Sequence, residues 1–490
     1  MPDKSVLYKW SLIFVILAGI SLSFYTHYRA ATLSITHDEG VIYQMISQHS
    51  GWQIFNYIIP QDHMINSLLM KFSCQLFPDT EYTLRLPNLL GHLLYIIFSI
   101  LLLIKLKNPH LLIAGFVLLN FNPYLLDFFS VARGYGLSVS FMMVSIYFGF
   151  SFILSRKILP MIMSFLFAIL SVLTVYTLLN YFVALCGIVA IMMLLWWADQ
   201  RFKSDKKFLL TSGIYLIVIL ISMLLIYLQL KEPLQRVQSE EYIYQAFNSD
   251  FYHGTIRPIV FRSIYNSDPK TTVDLVSYSL FAVYIMALIM MVVMSIRRNF
   301  SFKGRLIFFS FILSLIMVLS ISLQYELFNI RFVQNRTATF IIPLMVLTFI
   351  GLIEELTLRK KLKIPGLVLV YIVAALFLFN TVKHANFKWY VDWKYDASTR
   401  EMMHDLCEDA AAMPAKEVKL GIVWLHEPSI NFYRKAWHLD WLKKVDRKGY
   451  NGDFDYFYVD NADSILSKDI FRDKTILKNY GKTNTVLVKK

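Results

Sequence analysis

Residues 34–44 read SITHDEGVIYQ, two adjacent acids beside a histidine directly after an apolar run. This pair supports two kinds of chemistry. Thr36 and Glu39 have the Thr-x-x-Glu spacing of a helix capping box, and Val41, Ile42, Met45 and Ile46 follow at helical spacing. Alternatively, Asp38 or Glu39 is a catalytic base at a water–lipid boundary. The two roles can coexist, with Glu39 capping and Asp38 facing a cavity. Other charged residues gather where apolar runs are interrupted. The first stretch continues through Asp62, His63, Lys71 and Arg85, and NPYLLDFFSVARGYGLS carries Asp127 and Arg133. Residues 230–271 hold Glu240, Glu241, His253, Arg257 and Arg262, and NIRFVQNRTATFIIP sets Arg331 and Arg336 before another apolar run. Asp127 sits in apolar sequence, where a lone charge is costly, and Arg133 is one candidate partner.

One reaction uses all of these groups. A sugar linked through phosphate to a polyprenyl lipid presents its phosphate at the membrane surface, where arginine offers bidentate contact. Phosphate leaves readily, so no strong general acid is needed. The acceptor hydroxyl needs a single carboxylate to take its proton. A transporter or flippase of lipid-linked sugars would use as many spans and buried ions, but this sequence shows no clear internal repeat or broken mid-membrane helices. An O-antigen-type polymerase or ligase would share the lipid-phosphate substrate.

The elements that must position these residues are membrane helices. At 57% hydrophobic and 17% charged, with a mean hydropathy of +0.51, the chain departs from soluble proteins in the direction of polytopic ones. The net charge of +14 comes from basic residues clustered in short loops, which explains it by topology and argues against a nucleic-acid partner. Cys74, Cys186 and Cys407 have neither disulfide-framework nor zinc-site spacing. Apolar runs at 9–27, 85–104, 109–126, 134–155, 158–178, 180–198, 208–229, 272–296, 304–327, 338–357 and 365–383 predict eleven spans, the first an uncleaved helix. The run 158–198 is divided at Asn180-Tyr181. With the N-terminus cytoplasmic, loops with Lys105 and Lys107, Arg156 and Lys157, Arg201 to Lys207, Arg297 to Arg305, and Arg359 to Lys363 all lie inside. The acid pair, the arginine-bearing segments and the C-terminus then lie outside, in the periplasm of a bacterial inner-membrane protein. From about 386 the composition changes. KLGIVWL, FDYFYVD and TNTVLVKK read as strands and SINFYRKAWHLDWL as a helix, together predicting a small extracytoplasmic α/β domain over 386–490 after a transmembrane domain over 1–385.

The order of these motifs resembles the GT-C glycosyltransferases, in particular the protein mannosyltransferase and lipid A aminoarabinose transferase branch. The resemblance covers roughly residues 8–385. It rests on the DE pair after the first span, PQDHMINSLLMK followed by RLPNLLGHLL, NPYLLDFFSVARGYGLS, and RFVQNRTATFIIPL. It implies a polyprenyl-phosphate-sugar donor, a glycan, lipid or protein acceptor, and an inverting displacement with Asp38 as base. Glu39 would support Asp38 or share a divalent metal with it. Arg331 and Arg336 would contact the lipid phosphate, and His63, Arg85 and Arg133 complete the candidate substrate- and phosphate-binding set. The chain departs from the branch in lacking a proline near HMINS and in having Arg-Thr where members often have Arg-Tyr at 336.

Overall fold

The computed structural model describes residues 4–56, 63–198, 206–238, 250–265, 270–296, 305–411, 417–460, 471 and 473–490. Asp62, Glu240, Glu241 and the basic loop residues Arg201, Lys203, Arg297, Arg298 and Lys303 lie outside the described residues. The helices run α1 (Lys4–Thr32), α2 (His37–Gln48), α3 (Gly51–Asn56), α4 (Met64–Leu76), α5 (Glu81–Ile104), α6 (Pro109–Asn120), α7 (Pro123–Ser130), α8 (Tyr135–Ser155) and α9 (Ile158–Thr174). They continue with α10 (Leu179–Ala198), α11 (Lys206–Gln238), α12 (Arg257–Ser263), α13 (Lys270–Ile296), α14 (Leu306–Phe328), α15 (Ile341–Thr357), α16 (Lys363–His384), α17 (Thr399–Ala410) and α18 (Glu427–Ala436).

Each of the eleven apolar runs coincides with a helix or helix pair. Among the described residues, 8 helices are long and apolar enough to cross a membrane, and α6 with α7, bent by 63°, would make a ninth. The bend falls at Asn122-Pro123. Proline cannot continue the α6 ladder, and the Asn122 side chain accepts the Tyr124 and Leu125 N–H groups to open α7. α9 and α15 are each 17 residues, short for a perpendicular span. The divided run breaks at Val175 rather than at Asn180, through a short 3-10 turn (Tyr176–Leu178). There the Thr177 hydroxyl donates to the Thr337 carbonyl at 2.9 Å. α8 is the most enclosed span, with 78% of its apolar window buried, whereas α1, α13 and α16 bury only 22% and present their apolar faces outward.

The C-terminal residues form a four-stranded mixed sheet, with β1 (Leu420–Ile422), β2 (Tyr456–Asp460), β3 (Thr475–Tyr480) and β4 (Thr485–Lys489) in the order β1-β2-β4-β3. β1 pairs with β2 in parallel, and β4 pairs antiparallel with both β2 and β3. β3 and α17 are additions to the sequence reading.

This sheet shares its core with the first outer segment. Ile42, Tyr43 and Ile46 of α2 and Met70 of α4 pack in one cluster with Met402, Leu406, Ile430, Tyr433 and Tyr456. The contact is tightest at Gly40. A Cβ there would stand 2.5 Å from both the carbonyl carbon and oxygen of Pro428. We therefore expect Gly40→Ala to pry α18 from α2 at a cost of about 1–3 kcal/mol. A thermal shift of the purified protein, with earlier protease cleavage after residue 384, would register the loss. An unchanged melting curve would contradict the close approach.

Candidate active site

The two acids of the opening motif face different ways and have different partners. Thr36 caps α2, and the capping box is complete: Glu39 N donates to Thr36 Oγ1 and Thr36 N donates to Glu39 Oε2. Glu39 goes further than a cap. It is fully buried, and Arg85 grips both its oxygens, through Nε to Oε1 at 2.8 Å and through a terminal nitrogen to Oε2 at 2.7 Å. The remaining Arg85 donors reach the carbonyls of Ala30, Leu33 and Ser34. All five guanidinium N–H groups therefore have acceptors. Glu39 Oε1 also accepts the Ala132 N–H at 2.6 Å. One ion pair thus ties together the end of α1, the start of α2, α5 and the turn before α8.

This geometry reassigns two residues of the sequence reading. Arg85 has no N–H left for a phosphate, and neither oxygen of Glu39 is open to a metal or a substrate. The donor set does not fit a divalent cation either. Among the described residues, no three His, Cys, Asp or Glu side chains converge, and the neighbours of Asp38 are cations.

Asp38, one residue earlier, faces two arginines instead. Its Oδ2 meets Arg336 at 3.0 Å and Arg133 at 3.4 Å, and its side chain is 20% exposed. Arg133 stands in the tight turn whose Ala132 N–H is held by Glu39, so the buried pair sets the arginine as well as the aspartate. Arg336 lies in the 3-10 turn Asn335–Ala338, its guanidinium 5.6 Å from the Trp393 ring centre and its side chain 37% exposed. Burial alone would raise the Asp38 pKa. Arg133 and then Arg336 outweigh it and hold the carboxyl below its ordinary range.

His63 belongs to the same neighbourhood. It precedes α4 in a left-handed conformation (φ 38°), with Nδ1 3.2 Å from the Thr174 carbonyl and its ring edge-on to Tyr135. Gly134 lets it in, since a Cβ there would lie 2.8 Å from the His63 Cβ. Burial and then the charge of Arg133 push its pKa well below the ordinary value, so it sits neutral, with a buried Nε2 that has no hydrogen-bond partner among the described residues. Arg331 lies in the loop after α14. It is not among the cations that meet Asp38, and one of its terminal nitrogens is buried with no hydrogen-bond partner among the described residues. Asp127 pairs not with Arg133 but with Arg29, at 2.6 Å, and also accepts from Tyr265 and the Val391 N–H. Arg133 is committed instead to Asp38.

Several site residues come from the stretch after α16, NFKWYVDWKYDAS, which the motif search passed over. Asp392 takes the Tyr124 hydroxyl at 3.0 Å and pairs with Arg262 at 3.1 Å. Asp396, buried beneath the C-terminal layer, accepts the His37 N–H at 2.6 Å, while the Leu425 carbonyl lies 2.7 Å from His37 Nδ1. The α2 terminus that carries Asp38 is therefore clamped from both sides. The available signal was the alternation of aromatic and acidic residues directly behind an apolar run. Arg29 had a signal too, as an arginine at the far end of the first span on the face the positive-inside rule keeps poor in arginine.

No protein-family model matches the sequence, and no curated protein matches it significantly. Solved structures do resemble it. ArnT from Cupriavidus metallidurans bound to undecaprenyl phosphate aligns over 97% of both chains with a TM-score of 0.50 and 11% identity. The same protein in its apo state gives 0.49 and 11% over 97% of both chains. The archaeal oligosaccharyltransferase AglB from Archaeoglobus fulgidus, in complex with an inhibitory peptide and a dolichol-phosphate, gives 0.44 and 13% over 88% of this chain and 64% of its own. The likeness to the first of these is one of fold. The chain is a polytopic α-helical membrane protein with the GT-C fold and a small C-terminal sheet.

Stability measurements separate the two acids. Glu39→Ala or Arg85→Ala strands a buried charge and should destabilise the protein by about 3–5 kcal/mol. Asp38→Asn should cost less than either, because its side chain is partly exposed and asparagine keeps an acceptor oxygen for Arg336. Equal melting curves for all three variants would contradict the division of roles.

Proposed function

We propose that the protein is a membrane glycosyltransferase that moves a sugar from a polyprenyl-phosphate donor to a hydroxyl of an extracytoplasmic acceptor with inversion at the anomeric carbon. The observation that carries this reading is the convergence of Arg133 and Arg336 on the partly exposed carboxylate of Asp38, in a chain with the GT-C fold. ArnT, of the same fold, is seen with undecaprenyl phosphate, which supports a lipid phosphate as part of the substrate. In this scheme the acceptor oxygen attacks the anomeric carbon while Asp38 takes its proton. The bond between that carbon and the phosphate oxygen breaks, and the electron pair leaves with the polyprenyl phosphate. The leaving group gains a negative charge in this step, and two guanidiniums already in place stabilise it best where charge develops. Glu39 and Arg85 hold the helix end and the turn in register, and neutral His63 packs beneath Arg133. Arg331 is a further donor to the lipid phosphate. The cleft faces the periplasm of a bacterial inner membrane, and the C-terminal layer covers it from that side.

Asp38→Asn keeps shape and most hydrogen bonding but removes the base. Turnover in a reconstituted transfer assay should fall by about a hundredfold or more with protein level unchanged. Arg336→Ala should weaken use of the lipid-linked donor about ten- to a hundredfold and leave acceptor dependence nearly intact. The reading is tested in cells by mass spectrometry of envelope glycans and glycoproteins with and without the protein. Identical profiles, together with a fully active Asp38→Asn enzyme, would overturn it.

A further inference from the structure

We infer that Asp38 and the donor phosphate compete for the same two arginines, so that donor binding frees the carboxylate to act as base. The inference rests on the proposed transferase reading and adds an order to it, donor before acceptor. Both guanidiniums meet the same oxygen, Oδ2, at 3.0 and 3.4 Å, while no partner is found for Oδ1 among the described residues.

The groups that face Asp38 are His37 on its own helix, His63 at the start of α4, Arg133 in the turn before α8, Arg336 in the turn before α15, and Tyr395 after α16. Two further acids stand on that last segment, and both are already engaged. Asp392 is paired with Arg262, and Asp396 accepts from His37 N and from the Ser429 hydroxyl. One carboxylate therefore answers two guanidiniums, and one positive charge is left over. Arg133 is also incompletely satisfied, since its buried Nε has no hydrogen-bond partner among the described residues. A phosphate supplies the missing acceptor and the missing charge together.

The exchange resolves a chemical conflict. A carboxylate held by two arginines is a weak base, and acceptors arriving alone would meet it in that state. When the phosphate draws the guanidiniums off, Asp38 recovers its basicity and the arginines stand where the leaving group gains charge. The protein then deprotonates hydroxyl groups only when a donor is present to use them.

The test is binding of undecaprenyl phosphate to the purified full-length protein in lipid nanodiscs, which requires no knowledge of the acceptor. Removing a competitor should help, so Asp38→Asn and Asp38→Ser should bind the lipid about tenfold more tightly than wild type. Arg336→Ala should bind it at least tenfold more weakly, and the gain from Asp38→Asn should largely vanish in the double variant. Wild-type or weaker binding by both Asp38 variants, with Arg336→Ala still impaired, would overturn the exchange and leave the transferase reading standing. Undiminished binding by both Arg133→Ala and Arg336→Ala would remove the lipid-phosphate reading itself. Inorganic phosphate at the same concentration should not displace the lipid. Displacement would assign the arginines to free phosphate and overturn the proposal.

Discussion

The buried Glu39–Arg85 pair is the constraint on which the site depends. A carboxylate and a guanidinium removed from water are tolerated only with good geometry and every remaining donor satisfied. Here Arg85 meets that requirement with three carbonyls at the end of α1 and both oxygens of Glu39. The satisfaction is also a set of distances. Glu39 fixes the first turn of α2, and through the Ala132 N–H it fixes the turn that carries Arg133. Two site residues far apart in sequence thereby acquire a common reference. A lone cap could orient α2 but could not place Arg133 against Asp38.

The C-terminal layer extends the same logic from above. Asp396 and the Leu425 carbonyl grip His37, Tyr433 accepts the Ile35 N–H and donates to Glu81, and Gly40 lets the Pro428 backbone lie against α2. Shared core residues make the outer segment and the sheet one packed layer over the membrane helices. The segment after α16 thus does more than join two regions. Its Trp393 lies against Arg336, its Asp392 pairs with Arg262, and its Asp396 holds the His37 N–H beside Asp38.

Much of this was legible in the sequence because hydropathy reports solvent directly. Every apolar run became helix, and the Thr36–Glu39 capping box formed. Bends and lengths were less legible. α6 and α7 divide at Asn122-Pro123, a signal that a hydropathy window averages away. Pairing was least legible of all. Asp127 chose Arg29 over the nearer Arg133, and Arg85 was absorbed by Glu39 rather than by a substrate, because ion pairs follow the packing of helices remote in sequence. The strand β3 alternates too weakly to stand out, since much of it is exposed at the sheet edge.

In the proposed scheme two neighbouring acids divide the work, Glu39 as frame and Asp38 as reactive group, with Arg133 and Arg336 shared between the base and the lipid phosphate. The most direct measurement of that division is an experimental structure of the wild-type protein with undecaprenyl phosphate bound. Phosphate oxygens within hydrogen-bond distance of Arg133 and Arg336, an Asp38 carboxylate released from both, and an unchanged Glu39–Arg85 pair are the predicted result. A phosphate seated elsewhere, with both arginines still on Asp38, would contradict it.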